Sequence, residues 1–423
     1  MTASVPATGA DGTLGLGLVG CGAFGAYVLD AVAGLPGLRV TAVADADPVR
    51  ARTLADAHGS AVCSGPDDLL QRSDVHVVAL ATPPAGHADL AVAALRAGRH
   101  VFCEKPLATT AAEAARVRDE AERSSGVLVV DHVLRYNPLL RMLQRLGPGE
   151  RGGEGLLDPL RRFAFENDAS DEDLGPGHWF WDPEHSGGIF VEHGVHFFDA
   201  ARALMGSEPE TVQAMAVRRD GDGPEDIVVA TAAHPGGAVA THTHSFTHAH
   251  RCERQLMRLD YGFAEARVTG WIPVHATLTA WTDDAGAARW EALPARSAEL
   301  LAVPGMPLHG GERVTVTVHR NAGSAAAARG RGVSRSVPHR VDAVIDLGGE
   351  AMKPHVYAGS VRAAFADLLR CAVDGGTPVA DARSGLAAVA VAEAATRAAA
   401  TGRTEPVLIP GRGTAPRMPG AGT

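Results

Sequence analysis

The segment GLGLVGCGAFGAYVLDAV, residues 15–32, decides the fold. An apolar run leads into Gly20, Gly22 and Gly25, which have the spacing G-x-G-x-x-G, and a helical pattern follows. In this motif the first glycine permits a tight turn, the second lets a pyrophosphate approach the backbone, and the third allows close packing of the helix. Free N–H groups at the start of the helix face the phosphates. The segment therefore predicts a dinucleotide-binding turn; an ordinary glycine turn is the alternative.

The next apolar run, LRVTAVAD (residues 38–45), ends in Asp45. This acid follows Gly20 by about 25 residues, close to the spacing at which such motifs place a ribose-binding carboxylate. A carboxylate there accepts hydrogen bonds from the ribose hydroxyls and repels a 2′-phosphate, and Asp47 adds to the repulsion. The sequence therefore favours NAD over NADP, while a solvated surface acid is the plainer interpretation.

Apolar runs alternate with helical patterns from residue 14 to about residue 131, which predicts a doubly wound parallel sheet. Between residues 211 and 345 several segments alternate with period two, which predicts an antiparallel sheet with one covered face. The segment SAAAARGRGVSRSVP (324–338) is interpreted as a long surface loop, and two helices close the chain. We expect flexible tails at 1–13 and 409–423, a Rossmann domain at 14–136 and an α+β domain with a large open antiparallel sheet at 137–408.

Composition excludes several classes of protein. The 423 residues are 46% hydrophobic and 21% charged, as in folded globular chains, and the net charge of −10 disfavours nucleic acid and anionic lipid as partners. No apolar run is long enough to span a membrane. No Lys or Arg precedes Arg39, and the five cysteines are scattered, so we expect no secretory signal and a cytoplasmic location.

The stretch ATPPAGHADLAVAALRAGRHVFCEKPLATT (81–110) resembles the Gfo/Idh/MocA family of sugar and cyclitol oxidoreductases. The similarity lies in a T-P-x-x-x-H turn, an E-K-P tripeptide, the segment RYNP (135–138) and the segment SGGIFVEHGVHFFDAARALMG (186–206). It implies a Rossmann domain followed by an open sheet that forms the substrate pocket and often a subunit interface. Together with the glycine motif, it implies that cofactor is bound by Gly20, Gly22, Ala23, Phe24, Gly25, Asp45, Thr82, Pro83, His87, Glu104 and Lys105.

Oxidation of a secondary alcohol by hydride transfer also requires a base for the hydroxyl proton. The resemblance places Lys105 beside the nicotinamide, and burial is expected to lower the pKa of its ammonium group. Lys105 is therefore the predicted base, and a surface salt bridge is the alternative.

Glu192 stands where the family has aspartate, and His193 is an additional histidine. Glu192 and His196 are four residues apart, so a helix would place both on one face. We expect His196 to exchange a proton with Lys105 or the reacting oxygen, and Glu192 to orient it or hold a substrate hydroxyl. The alternative is a surface ion pair. His193 is expected to face elsewhere, and Asp199 to be structural.

Further residues are candidates for binding the substrate. Arg135 and Asn137 could contact substrate hydroxyls, or join the two domains. Trp179, in the cluster HWFWD (178–182), could cover the apolar face of a sugar, or belong to a packed loop. With Lys105, Glu192, His193 and His196 these residues complete the predicted substrate site.

Four histidines of THTHSFTHAH (241–250) are all at even-numbered positions, so one continuous strand would place them on one face. A metal site is conceivable. No Cys, Asp or Glu is interleaved with them, so we favour a solvated or intersubunit face and expect no metal. The residues are His242, His244, His248 and His250.

The sequence thus predicts an NAD-dependent oxidoreductase that interconverts a secondary hydroxyl and a ketone on a sugar, amino sugar or cyclitol. Its partners would be a small polyol or keto-sugar and further copies of itself, as a homodimer or homotetramer. The alternatives are a non-catalytic NAD-binding sensor and a reductase of a non-sugar ring compound.

Overall fold

The structure is a computed structural model that describes residues 12–148, 154–170, 174–175, 177–218, 224–323, 327–330 and 332–411. Most of the two expected tails, 1–11 and 412–423, lies outside the described residues. No helix in the described ranges is both long and apolar enough to cross a membrane.

The first part of the chain forms a six-stranded parallel sheet. Its strand order is β3-β2-β1-β4-β5-β6, the order of a doubly wound dinucleotide-binding fold. All residues of β1, β4, β5 and β6 are buried, as is typical of parallel strands that helices cover on both faces. The strands are β1 (Leu14–Val19), β2 (Leu38–Ala44), β3 (Ala61–Val62), β4 (Val77–Leu80), β5 (His100–Cys103) and β6 (Leu128–Val130). The helices are α1 (Ala23–Val32), α2 (Pro48–His58), α3 (Pro66–Gln71), α4 (His87–Arg96) and α5 (Ala111–Arg123).

The second part is built on a ten-stranded sheet of order β14-β17-β13-β12-β11-β7-β10-β9-β8-β18. All neighbouring strands are antiparallel except β7 and β10, which run parallel, so the sheet is mixed rather than purely antiparallel. Its strands are β7 (Arg162–Asp168), β8 (Thr211–Val217), β9 (Ile227–His234), β10 (Ala238–Ser245), β11 (Arg254–Asp260), β12 (Ala264–Thr269), β13 (His275–Thr282), β14 (Arg313–His319), β17 (His339–Asp346) and β18 (Glu405–Pro406).

Seven α-helices within the described residues accompany this sheet: α6 (Pro138–Leu146), α7 (Pro183–Ser186), α8 (Val195–Met205), α9 (Asp284–Ala292), α10 (Ser297–Leu301), α11 (Lys353–Asp374) and α12 (Ala382–Thr401). A π-helical turn, Phe190–Gly194, leads directly into α8. Short 3₁₀ helices span Pro84–Gly86, Val133–Tyr136, Trp179–Trp181, Pro235–Gly237, His250–Cys252, Leu293–Arg296 and Glu350–Met352.

The predicted long loop at 324–338 is instead a small ribbon where the structure describes it. Strands β15 (Ala327–Gly330) and β16 (Val333–Ser336) pair antiparallel and are largely exposed. Arg335 anchors the ribbon by pairing with Asp158 at 3.0 Å and lying over the ring of Phe263.

The two closing helices join the two sheets. Helix α12 contacts α5 on one side and β8 and α8 on the other, which its small alanine side chains allow. Helix α11 packs on α1, and its Phe365 stacks on Phe102 of β5 with ring centroids 4.1 Å apart. The carboxyl ends of β5 and β6 consequently face the π turn that precedes α8.

Candidate active site

The glycine turn after β1 leaves space for a ligand where the motif requires it. Gly20 has a φ of +100°, and a Cβ there would lie 2.4 Å from the carbonyl oxygen of Ala81. A Cβ on Gly25 would lie 2.0 Å from the carbonyl oxygen of Gly20, whereas a Cβ on Gly22 would meet nothing within 4 Å. No side chain caps the start of α1 at Ala23. The backbone at Gly22 and the free N–H groups of α1 therefore suit an anionic group such as a pyrophosphate.

Asp45 lies beside this turn at the end of β2. Its Oδ2 accepts a hydrogen bond from the backbone N–H of Cys21 at 2.5 Å, and its Oδ1 accepts one from the N–H of Asp47 at 2.7 Å. Burial, together with the charge of Asp45, raises the pKa of the Cys21 thiol to about 12, so this cysteine stays protonated. The carboxylate is thus held where the sequence predicts a ribose contact.

His87 fixes the two loops that follow β4 and β5. Its ring is fully buried, with Nε2 2.7 Å from the carbonyl oxygen of Thr82 and Nδ1 2.7 Å from that of Pro106. Burial lowers its pKa. Both ring nitrogens face backbone carbonyl oxygens, so His87 connects the Thr82–Pro83 turn with the E-K-P loop.

Lys105 and Glu192 join the first sheet to the second part of the chain. The Lys105 Nζ lies 2.5 Å from Glu192 Oε1 and 3.0 Å from the Glu192 carbonyl oxygen, and each side chain is 11% exposed. Burial alone would lower the pKa of Lys105, but the charges of Glu192, Glu104 and Asp131 and the hydrogen bond to Glu192 raise it. The predicted lowering of this pKa is therefore wrong, because the prediction considered burial alone and not the charges of these carboxylates.

The local backbone at Glu192 also differs from the prediction. Residues 190–194 form a π turn, so Glu192 and His196 do not belong to one regular α-helix. Glu192 bonds to Lys105 and not to His196, whose Nδ1 is buried without a hydrogen-bond partner. Burial and then the charge of Lys105 hold the pKa of His196 well below its usual range. His196 is thus a neutral imidazole that lies within electrostatic range of the Lys105 ammonium group.

His193 turns toward the second sheet. Its Nδ1 lies 3.1 Å from Nδ1 of His244, and burial lowers its pKa to about 3. His242 and His244 are 1% and 0% exposed, so the predicted solvated face is wrong for these two residues. His248 and His250 follow the end of β10 and do not continue the strand. Within the described ranges no group of three or more His, Cys, Asp or Glu residues is arranged to hold a metal.

Arg135 and Asn137 have structural partners. Arg135 makes a bidentate ion pair with Asp199, at 2.6 and 2.8 Å, and also donates to the carbonyl oxygen of Val379. Asn137 caps α6 and donates to the carbonyl oxygen of Pro273. Both side chains hold elements of the two parts together, which was one of the two predicted roles.

Two family models match the chain. One, described as an oxidoreductase family with an NAD-binding Rossmann fold, matches residues 14–132; the other, a GFO/IDH/MocA C-terminal domain, matches residues 160–260. The chain belongs to the Gfo/Idh/MocA family. The two matches cover the six-stranded sheet and the first strands of the ten-stranded sheet.

Among curated relatives of this Gfo/Idh/MocA chain is inositol 2-dehydrogenase 2 of Saccharopolyspora erythraea, 34% identical over 49% of this chain and 59% of the relative. The inositol 2-dehydrogenase of Rhizobium meliloti is 32% identical over 48% of this chain and 58% of its own length. The chain therefore aligns with somewhat more than half the length of these relatives. A solved levoglucosan dehydrogenase in complex with NADH covers 94% of this chain and 99% of its own, with a TM-score of 0.70 and 19% identity, and shares the fold.

The aromatic cluster of this family member forms a packed loop. Trp181 donates its indole N–H to the carbonyl oxygen of Leu174, and the ring of Phe180 meets Phe246 edge-on with centroids 5.3 Å apart. Trp179 remains partly exposed beside His178, with ring centroids 5.3 Å apart. Helix α7, which follows the cluster, contacts the 3₁₀ turn Pro84–Gly86, so this loop reaches the edge of the cofactor sheet.

Sequence reasoning did not single out four residues around Glu104 and His196, which are Asp131, Tyr27, Tyr357 and Trp271. Asp131 follows β6 as Glu104 follows β5, and an acid at a strand end was the available signal. Tyr27, Tyr357 and Trp271 form a line of rings with successive centroids 4.9 and 5.0 Å apart, and Trp271 lies 6.3 Å from the ring of His196. These aromatic residues come from distant parts of the chain, so no sequence motif joins them.

Proposed function

We propose that this chain is an NAD-dependent oxidoreductase that interconverts a secondary hydroxyl and a ketone on a sugar, amino sugar or cyclitol. The observation that carries the proposal is the contact between Lys105 Nζ and Glu192 Oε1 at 2.5 Å. It brings a lysine from the carboxyl edge of the cofactor sheet against a carboxylate from the second part of the chain. Inositol dehydrogenases among the curated relatives support the substrate class.

The residues around the glycine turn fit NAD. The backbone at Gly22 and the start of α1 would hold the pyrophosphate, and Asp45 would accept hydrogen bonds from a ribose. Thr82, Pro83 and Glu104, at the ends of the next strands, would line the nicotinamide side. When bound, NAD supplies the acceptor for a hydride from the carbinol carbon.

Lys105, Glu192 and His196 would handle the proton of the reacting hydroxyl. Because Lys105 carries a proton beside Glu192, it can accept another only after passing its own to the Glu192 carboxylate. The lysine amine then takes the hydroxyl proton. The neutral imidazole of His196 can hydrogen-bond to the reacting oxygen without placing a second positive charge near Lys105. Lys105 and Glu192 thus act together as the base, which differs from a lysine that is neutral in the free protein.

Trp271 and Tyr357 support a ring-shaped substrate. Their rings meet edge-on with centroids 5.0 Å apart, and Trp271 is also the neighbour of His196. Aromatic faces cover the apolar C–H face of a pyranose or cyclitol while polar groups bind its hydroxyls. Trp179 and His193 stay predicted substrate contacts, and the homodimer or homotetramer stays a prediction.

A substrate panel tests the proposed function. With NAD present, we expect NADH absorbance to rise with one or more cyclitols, pyranoses or amino sugars. Tight NAD binding with no turnover on polyols or keto-sugars would favour the non-catalytic sensor. With NADH supplied instead, consumption of NADH by non-sugar ring carbonyls alone would favour the reductase of a non-sugar ring compound.

Substitution of Asp45 tests whether the chain prefers NAD to NADP. Asp45→Asn keeps an oxygen for only one of the two backbone N–H groups of Cys21 and Asp47 and removes the charge, so NAD affinity should fall by about 10- to 100-fold, the effect of losing a charged hydrogen bond. The discrimination against NADP should shrink because the repulsion of the 2′-phosphate is lost. Thermal shift with each cofactor measures both effects. Asp374→Asn, at the exposed end of α11, is the matched control; equal NAD affinity in both variants would contradict the assignment.

A further inference from the structure

Glu104 and Asp131 form a buried carboxyl pair behind Lys105. They follow β5 and β6, whose parallel register pairs Cys103 with Val130, and the Asp131 N–H donates to the Cys103 carbonyl oxygen at 2.8 Å. Burial and then the charge of Glu104 raise the pKa of Asp131, so the two carboxyls lie within electrostatic range of each other. Asp131 is 1% exposed, and Asp131 Oδ1 and Glu104 Oε2 are both buried without a hydrogen-bond partner among the described residues.

The charges around this pair do not balance if both carboxyls are ionised. The ammonium group of Lys105 acts on both Glu104 and Asp131, but it already bonds directly to Glu192. Three buried carboxyls therefore share one ammonium group. The other titratable groups that face the pair are Cys103 on β5, Tyr27 on α1 and Tyr357 on α11, all of which stay neutral near pH 7 because burial raises the pKa of each.

Two carboxylates in contact cannot both remain ionised in a buried site, so one of them keeps a proton. A proton on one of them would also supply the donor that the buried oxygens of Glu104 and Asp131 lack, because an ionised carboxylate only accepts hydrogen bonds. Burial raises the pKa of Glu104 to about 7 and raises the pKa of Asp131 well above its usual range. The pair therefore holds a proton whose retention depends on the charges nearby.

We propose that Glu104 and Asp131 hold one proton between them in the free protein and release it to solvent when a positively charged, oxidised nicotinamide binds beside Lys105. This inference rests on the proposed function, which places the nicotinamide at that position. A new positive charge favours the doubly ionised pair, whereas a neutral reduced nicotinamide does not. Asp131 is thus a positioning residue that sets the charge around Lys105 without touching substrate.

The proton balance of the reaction is kept. Binding of NAD⁺ releases one proton from the pair to solvent. When bound, NAD would take up the hydride of the carbinol carbon, while Lys105 would pass its own proton to Glu192 and take the hydroxyl proton. With the nicotinamide then reduced and uncharged, the pair would regain one proton as Glu192 gives one up. The sum is alcohol plus NAD⁺ giving ketone, NADH and one proton, but the proton reaches solvent at cofactor binding and not at hydride transfer.

Calorimetric titration in phosphate and Tris buffers, which differ in ionisation enthalpy, counts the released protons. At pH 7 we expect wild-type protein to release about one proton on binding NAD⁺ and almost none on binding NADH. Asp131→Asn keeps the shape and can donate its amide hydrogen to Glu104 but has no acid proton, so its release should fall close to zero. Asp374→Asn should release as many protons as the wild type.

The outcomes separate this inference from the proposed function. If NAD⁺ binds and the wild type releases no more protons than it does with NADH, the inference that Glu104 and Asp131 hold a releasable proton is wrong, while the proposed function stands. If neither cofactor binds, both are wrong. Should Asp131→Asn fail to fold, Glu104→Gln and the infrared band of a protonated carboxyl in the wild type serve instead. That band should be present in the free protein and absent from its NAD⁺ complex, and a band unchanged by NAD⁺ would also overturn the inference.

Discussion

Replacing Lys105 with methionine is expected to remove nearly all turnover, with kcat lower by about 10⁴-fold, the upper range for loss of a general base. Methionine keeps much of the chain length but has no proton to exchange. NAD binding should stay nearly unchanged, because the glycine turn, the start of α1 and Asp45 are separate from the amine. Steady-state NADH absorbance and the thermal shift with NAD measure the two quantities.

Further variants distinguish proton transfer by Lys105 from neutralisation of Glu192 by its positive charge. Lys105→Arg keeps a positive charge for Glu192, but a guanidinium does not lose its proton near neutral pH. If Lys105 only neutralises Glu192, the arginine variant should retain much of its kcat; if it transfers a proton, the arginine variant should be as slow as the methionine variant. Partial recovery of Lys105→Ala by added small amines would support the transfer role. Near-wild-type kcat in Lys105→Met would exclude Lys105 as the base.

The cofactor half of the site was predictable because its residues follow the strands in chain order. Parallel strands bring their carboxyl ends to one edge of the sheet, so Gly22, Asp45, Thr82 and Glu104 had to lie near one another once the βαβ pattern was recognised. The glycine spacing and the apolar runs are local signals, and the predicted doubly wound parallel sheet is confirmed. The resemblance to the family then directed attention to Lys105 and Glu192.

The electrostatic properties of the site were not predictable from those signals. The pKa of Lys105 depends on three carboxyls from different segments, and one of them, Asp131, carries no family motif. The α-helical spacing of Glu192 and His196 is interrupted by a π turn, a local irregularity that often accompanies functional sites. Likewise, the alternate positions of His242 and His244 predict that both lie on one face of a strand. Only the packing of that face against His193 shows that it is buried.

Replacing Asp199 with alanine is expected to lower the free energy of unfolding by about 3–5 kcal/mol, the cost of breaking a buried ion pair by removing one partner. Asp199 is 0% exposed and accepts hydrogen bonds from Arg135 and, at 2.8 Å, from Arg202. Arg202 keeps an ion pair with Glu208, but Arg135 would be left buried with only a carbonyl oxygen. Urea-induced unfolding measures the loss. Asp342→Ala removes a partly exposed partner of Arg340 and should cost no more than about 1 kcal/mol.

The pH dependence of Asp199→Asn tests whether the charge is responsible. Burial alone would raise the pKa of Asp199, but Arg135 and the other nearby cations hold it well below its usual range. A group with a lowered folded-state pKa stabilises the protein above its unfolded-state pKa of about 3.9, and that stability is lost as the pH falls through the folded-state value. The stability gap between wild type and Asp199→Asn should therefore be constant from about pH 6 to 8 and shrink below about pH 4.

A structural role also requires that kcat per folded molecule stay near the wild-type value, since Asp199 contacts Arg135 and Arg202 and not Lys105. A folded, stable variant with kcat reduced as far as in Lys105→Met would instead place Asp199 among the residues that move the proton.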